Sequence, residues 1–230
     1  MKLTKLLSVA VFSALMILPV ASNAGLLSIR ISDGINPDLI INDNGPGDEL
    51  LQLGVVKYSG GFGDWLVTLG LGSSNYDPLN MHLTSAVTYI GGSTGSGAGV
   101  GKLHIDMTQT GLSVPGGGPA LTSFTASGGG IGDGTATWTA YADGGNNPFG
   151  TTNALYTGGF PTSSGGATES LSTFYSASIF TTFDFTGLDD SGTSYQSSLD
   201  LRLKVPEPTS IALAGIALLA LGAVTRRKMT

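Results

Sequence analysis

The chain has 230 residues, 36 glycines, no cysteine and only 11% charged residues, with a formal net charge of −6. The absence of cysteine excludes disulfides, thiol catalysis, Cys-ligated zinc and a lipid-modified N-terminal cysteine. Residues 25–204 hold fifteen of the sixteen acidic residues and five of the ten basic ones, a net charge of −10 that argues against nucleic acid as a partner.

In chain order, the first element is a targeting segment. Lys2 and Lys5 precede an apolar run over residues 6–20, and small residues at Ala21 and Ala24 set a cut between Ala24 and Gly25. This pattern predicts a cleaved secretory signal peptide over residues 1–24. Residues 25–204 then form one Gly/Ser/Thr-rich segment, long enough to bury a core of its own.

Within that segment apolar residues recur with a period of two, the signature of half-buried strands. Alternation predicts strands around Leu27, Ile29 and Ile31, from Trp65 to Leu71, from Met81 to Tyr89 and from Leu103 to Met107. Weaker strand patterns cover residues 39–41, 51–58, 121–127, 135–142 and 171–185. The clearest run is the last, where Leu199, Leu201, Leu203 and Val205 alternate with Asp200, Arg202 and Lys204. Turn clusters at Gly60-Gly61 and over residues 91–101, 115–119, 128–134 and 143–148 separate them. About ten strands result and no helix is expected outside the two terminal signals. The expected fold is all-β, an antiparallel β-sandwich or jelly roll between an N-terminal signal peptide and a C-terminal transmembrane helix. The glycine-rich stretches lack a following Lys-Ser/Thr and a strand-to-helix context, so they read as loops rather than phosphate cradles.

The last segment, residues 205–230, is a second signal. Val205-Pro206-Glu207-Pro208 leads into an apolar stretch over residues 211–224, and Arg226, Arg227 and Lys228 follow near the terminus. Fourteen helical residues span roughly 21 Å against a hydrocarbon core of roughly 30 Å, so a helix over residues 210–225 is a marginal anchor. Its apolar side chains supply roughly 2 to 4 kcal/mol of insertion preference before any mismatch cost. The two prolines keep the preceding chain extended and open to a processing enzyme. The basic residues stay on the cytoplasmic side.

This tail resembles the PEP-CTERM signal of exported bacterial proteins, with Pro206, Glu207 and Pro208 as the name motif and Arg226 and Arg227 in the basic end. The resemblance implies export from a Gram-negative bacterium and transient inner-membrane anchoring with a periplasmic ectodomain. It further implies processing by an exosortase-type membrane enzyme, then arrival at the cell surface or extracellular matrix, in company with exopolysaccharide. Asp33-Gly34-Ile35-Asn36-Pro37 and Gly61-Phe62-Gly63-Asp64-Trp65 also look like a recurrent β-rich ectodomain of that group, which brings no assigned activity.

Residues that carry chemistry are sparse. His104 and Asp106 share one face of a predicted strand, a conceivable base and orienter, but no Gly-x-Ser-x-Gly elbow frames a nucleophile. Asn42, Asp43, Asn44, Asp48 and Glu49 concentrate oxygen ligands where Ca²⁺ could bind, although a plain polar hairpin turn accounts for the same residues. Otherwise no cofactor is expected. Trp65 and Trp138 are each either core anchors or sugar-stacking platforms, and Trp138 is the better candidate for a sugar contact. Together these features predict an exported surface or matrix protein with a structural or interaction role in an exopolysaccharide layer, held to acidic polymer by divalent cations. A lectin-like carbohydrate-binding module is the alternative and a glycan hydrolase using paired carboxylates the third reading.

Overall fold

In the computed structural model the described residues are 25–76, 79–91, 101–114, 118–131, 134–171, 173–186 and 193–204. The signal peptide and residues 205–230, with the transmembrane helix expected there, lie outside them. Among the described residues no helix is long and apolar enough to cross a membrane.

The described residues form twelve strands: β1 (Leu27–Ser32), β2 (Leu39–Asn42), β3 (Val55–Phe62), β4 (Trp65–Tyr76), β5 (Leu79–Tyr89), β6 (Lys102–Ser113), β7 (Gly118–Ile131), β8 (Thr135–Asp143), β9 (Asn153–Gly159), β10 (Thr162–Leu171), β11 (Phe174–Asp184) and β12 (Ser194–Lys204). They build two six-stranded sheets: sheet A runs β2-β1-β6-β11-β8-β9 and sheet B runs β10-β7-β12-β5-β4-β3. All pairs are antiparallel. The all-β sandwich expected from the sequence is the fold.

Alternation explains the layering. Along β5, Leu79, Met81, Leu83, Ser85, Val87 and Tyr89 are buried while the intervening residues are partly open. Along β12, Leu199 and Leu201 are buried and Arg202 is exposed, as the pleat requires. Inward residues of both sheets meet in one apolar core, crossed by the stack of Phe124 (β7) on Trp138 (β8) with ring centroids 4.0 Å apart. Ser85 and Ser197 also point inward, and their hydroxyls bond each other at 2.7 Å, which removes the cost of burying either alone.

Several sequence expectations are corrected. Gly60 and Gly61 lie within β3, and the chain reverses at Gly63-Asp64, where Gly63 has a φ of 55°. Residues 51–54 precede the strand, with Leu51 and Leu53 exposed. Gly128, Gly129 and Gly130 belong to β7 instead of a turn. β9 and β10, which carry no apolar alternation of note, were not expected at all. The two segments singled out for their resemblance meet in space: a Cβ on Gly63 would lie 2.5 Å from Asp33 Oδ2 and 2.6 Å from Asn36 Nδ2. Asp33 in turn accepts the backbone N–H groups of Ile35 and Asn36, which closes the β1–β2 turn against the β3–β4 turn.

Candidate functional site

The outer faces of the two sheets differ, and the difference locates the site. On sheet A, the loop over residues 144–152 folds back over the strands. Its hub is Asp143, which accepts hydrogen bonds from Thr152, Gly145 and Asn147; these hold the carboxyl down at about 2. The loop is fastened by Phe149 N–H donating to Thr108 Oγ1 at 3.2 Å and by Ser176 Oγ donating to the Asn147 carbonyl at 2.6 Å. Beneath it, Arg30 donates to buried Asp106 at 2.6 Å while its guanidinium lies 4.7 Å from the Phe149 ring centroid and 5.6 Å from that of Phe180. Burial pushes the Asp106 carboxyl up to about 6 against the pull of Arg30.

The outer face of sheet B carries a trough of about 630 Å³ across β7, β12, β5 and β4. Two cross-strand rows build it. One runs Gly129, Gln196, Ala86 and Thr68; the next runs Ser127, Ser198 and Thr84, with Gly70 beside it. Small residues make the floor, hydroxyl and amide groups make the walls, and among the described residues neither an aromatic ring nor an ionisable side chain lines it. The next row along carries His82 and Asp200, hydrogen-bonded at 2.8 Å. Such a surface can form many weak, directional hydrogen bonds to hydroxyl groups and offers no acid–base chemistry of its own.

The predicted site residues are placed as follows. Trp138 is 3% exposed and packs on Phe124, so it is a core anchor and no sugar ring can reach its face; the sugar-contact option is corrected. Trp65 is likewise buried, against Tyr89 and Phe185. His104 bonds Thr182 Oγ1 at 2.9 Å and Asp106 bonds Arg30, so the two do not form a base and orienter. Burial, aided by Arg30 and Lys102, lowers the His104 pKa. In the Ca²⁺ candidate, Asn42 accepts from Ser28, Asp43 accepts Gly54 N–H, and Asp48 accepts the N–H groups of Asn44, Leu50 and Lys57. Glu49 pairs with Lys57 at 3.4 Å. These oxygens fasten the β2–β3 connection, and among the described residues no group of three or more acidic, histidine or cysteine side chains converges. Gly25 is the first described residue; Ala24, Pro206, Glu207, Pro208, Arg226 and Arg227 lie outside the described residues. Sequence reading missed the trough, whose walls are merely the wet halves of alternating strands.

Compared with family models, residues 204–228 match the PEP-CTERM protein-sorting motif. The chain carries a PEP-CTERM sorting signal. The matched span includes Pro206, Glu207, Pro208, Arg226 and Arg227, and begins on the last residue of β12. A PEP-CTERM signal implies an exported chain processed at the membrane by an exosortase in a Gram-negative bacterium. No curated protein matches the chain. Solved structures with some likeness include the K1 cleaved adhesin domain of Lys-gingipain from Porphyromonas gingivalis, at 17% identity and a TM-score of 0.33, covering 67% of this chain and 92% of that one. The N-terminal cellulose-binding domain of a β-1,4-glucanase from Cellulomonas fimi follows at 15% identity and 0.30, covering 65% and 93%. A xylan-binding domain from Paenibacillus barcinonensis stands at 10% identity and 0.30, covering 67% and 88%. At TM-scores this low the likenesses carry nothing about the site or its ligand.

Proposed function

We propose that residues 25–204 are an exported ectodomain with an interaction role in an extracellular polysaccharide layer. A signal peptide cut between Ala24 and Gly25 sends it across the inner membrane, and a helix over residues 210–225 holds it there transiently. An exosortase-type enzyme then processes the chain at Pro206-Glu207-Pro208, and the ectodomain passes to the cell surface or matrix. The PEP-CTERM match over residues 204–228 carries this reading. The trough on sheet B supports contact with polymer there, as in the lectin-like alternative, because its hydroxyl and amide walls complement a polyhydroxylated chain. A binding role is favoured over hydrolysis at this trough because glycan hydrolysis takes a pair of carboxylates and none of the described residues lining it is an aspartate or glutamate.

The test is made on matrix material from the host. Intact-mass measurement should find a form that begins at Gly25 and ends before Ile211, and the form should co-purify with polysaccharide until the polymer is degraded. Full-length chain confined to the inner membrane, or a released form that degradation of the polymer does not set free, overturns the reading.

A further inference from the structure

We propose that the trough on the outer face of sheet B binds a neutral, hydroxyl-rich polysaccharide, held by side-chain hydrogen bonds and not by ring stacking or by cation bridges. This rests on the reading of an extracellular polysaccharide as the partner and names the class of polymer and the place of contact.

Charge carries the argument. Residues 25–204 have a net charge of −10, yet among the described residues no acidic or basic side chain lines the trough. Asp200, two residues along β12 from Ser198, is hydrogen-bonded to His82 at 2.8 Å. A polymer bearing carboxylates gains no cation from such a surface and meets an acidic molecule around it. A neutral chain loses little on desolvating hydroxyl and amide groups, because its own hydroxyls replace the displaced water as partners. The divalent-cation route expected from composition needs acidic groups that are not already engaged. Of the fifteen acidic residues of this segment, Asp43, Asp48 and Asp143 are taken up in this way, their oxygens accepting backbone N–H groups of their own loops.

Shape agrees with charge. Pleated strands about 4.8 Å apart present Ser127, Ser198 and Thr84 in one row and Gln196 and Thr68 in the next, a flat lattice of donors and acceptors. The floor beside Gln196 is Gly129, where a Cβ would meet nothing within 4 Å. A chain can therefore lie close to the backbone there. With no aromatic ring among the described residues of the lining, each contact is weak, and retention depends on several adjoining contacts along an extended polymer.

Gly129 supplies the probe. A Cβ at this position meets nothing within 4 Å and its φ is not in the left-handed region, so Gly129→Ile places a bulky side chain in the trough without backbone strain. Host polysaccharide is separated on an anion exchanger into neutral and acidic fractions, and the full-length chain in detergent is run by affinity electrophoresis in gels containing each. The neutral fraction should retard the chain, chelator and added salt should leave the retardation unchanged, and Gly129→Ile should weaken it at least 10-fold with an undiminished melting temperature. Gln196→Ala should weaken it by about 3- to 10-fold, the loss of a hydrogen bond or two. Retardation by the acidic fraction alone, or its loss in chelator, overturns the inference and restores cation bridging. Neutral retardation untouched by both variants moves the contact elsewhere. If Gly129→Ile instead splits a dimer and the neutral fraction does nothing, the face joins copies of this chain. Should the neutral fraction fail while intact host matrix still retains the chain, the matrix reading stands and this inference falls; if the matrix fails as well, both fall.

Discussion

Arg30 shows how much of sheet A's outer face hangs on one side chain. Its guanidinium neutralises Asp106, whose side chain is 3% exposed, and lies against Phe149 and Phe180, which ties the loop over residues 144–152 to the sheet. Replacing it with methionine keeps an apolar stem under Phe149 but leaves a buried carboxylate without its partner, a loss of about 3 kcal/mol at pH 7. The sign of its pH dependence follows from the carboxyl's pKa, already at about 6 in the folded chain against an ordinary 3.8. Between those values the folded state binds a proton that the unfolded state does not, so acidification adds stability. Without Arg30 the pull that lowers this pKa is gone and the window widens upward. His104, two residues along β6, responds in the same direction. Its pKa is depressed by burial and by Arg30, so the wild type loses stability as pH falls below 6.5, and removing Arg30 lessens that loss. Asp38 is the other charge raising the Asp106 pKa, and it is unchanged in the variant. Urea titrations from pH 7.5 to about 5 should therefore show the Arg30→Met deficit shrinking by half or more. A deficit that is constant or grows on acidification would mean Asp106 is not the group left unpaired.

At the scale of strands, the sequence is legible where one face is apolar and the other wet. Leu79, Met81, Leu83 and Val87 define β5, and Leu199 and Leu201 define β12, because a slip of one residue would expose every one of them. β10 is not legible, since Thr162–Leu171 is an edge strand with a single large apolar residue at its end, paired only to β7. Glycine misleads for a related reason. Gly128 reads as a turn residue, yet it is a close-packing residue within β7: a Cβ there would lie 2.6 Å from the Phe160 ring and 2.7 Å from the Gln196 carbonyl oxygen. Its neighbour Gly129 faces the trough with open space above it. The two should therefore answer the same substitution oppositely. Gly128→Ala should cost about 1 to 3 kcal/mol, because backbone has to move, whereas Gly129→Ala should be neutral or stabilising by up to about 1 kcal/mol. Equal urea midpoints for the two variants would contradict the distinction. The trough stays hidden in the sequence for the same reason that Gly129 does: serine, threonine and glycine on wet faces look alike until the register aligns them.

The whole molecule joins its last strand to its sorting signal with no spacer. β12 ends at Lys204, the first residue of the PEP-CTERM match, and it sits between β7 and β5 in the middle of sheet B. Without β12, sheet B is two unjoined halves, so in the proposed export the fold is completed only as the tail arrives. In the proposed sorting role the tail has two opposed tasks: to stop in the bilayer, and to remain open to cleavage beside a finished domain. Pro206 and Pro208 would reconcile the two in that role, since proline disfavours helix in the residues before it and so would keep the proposed anchor short. Replacing Pro206, Glu207 and Pro208 together by alanine lets helix run from residue 206 to 224, about 28 Å, close to the roughly 30 Å a span requires. In the proposed role the variant is therefore expected to be both a poorer substrate and a better anchor. Fractionation and intact-mass analysis should find it at full length in the inner membrane, with an ectodomain as protease-resistant as the wild type. Glu207→Gln separates the two effects, since it keeps both prolines and the short anchor. Accumulation of this single variant as well would assign the block to lost recognition, and normal processing of it would assign the block to the lengthened helix. Release of the triple variant at the wild-type rate would remove Pro206, Glu207 and Pro208 from the processing step.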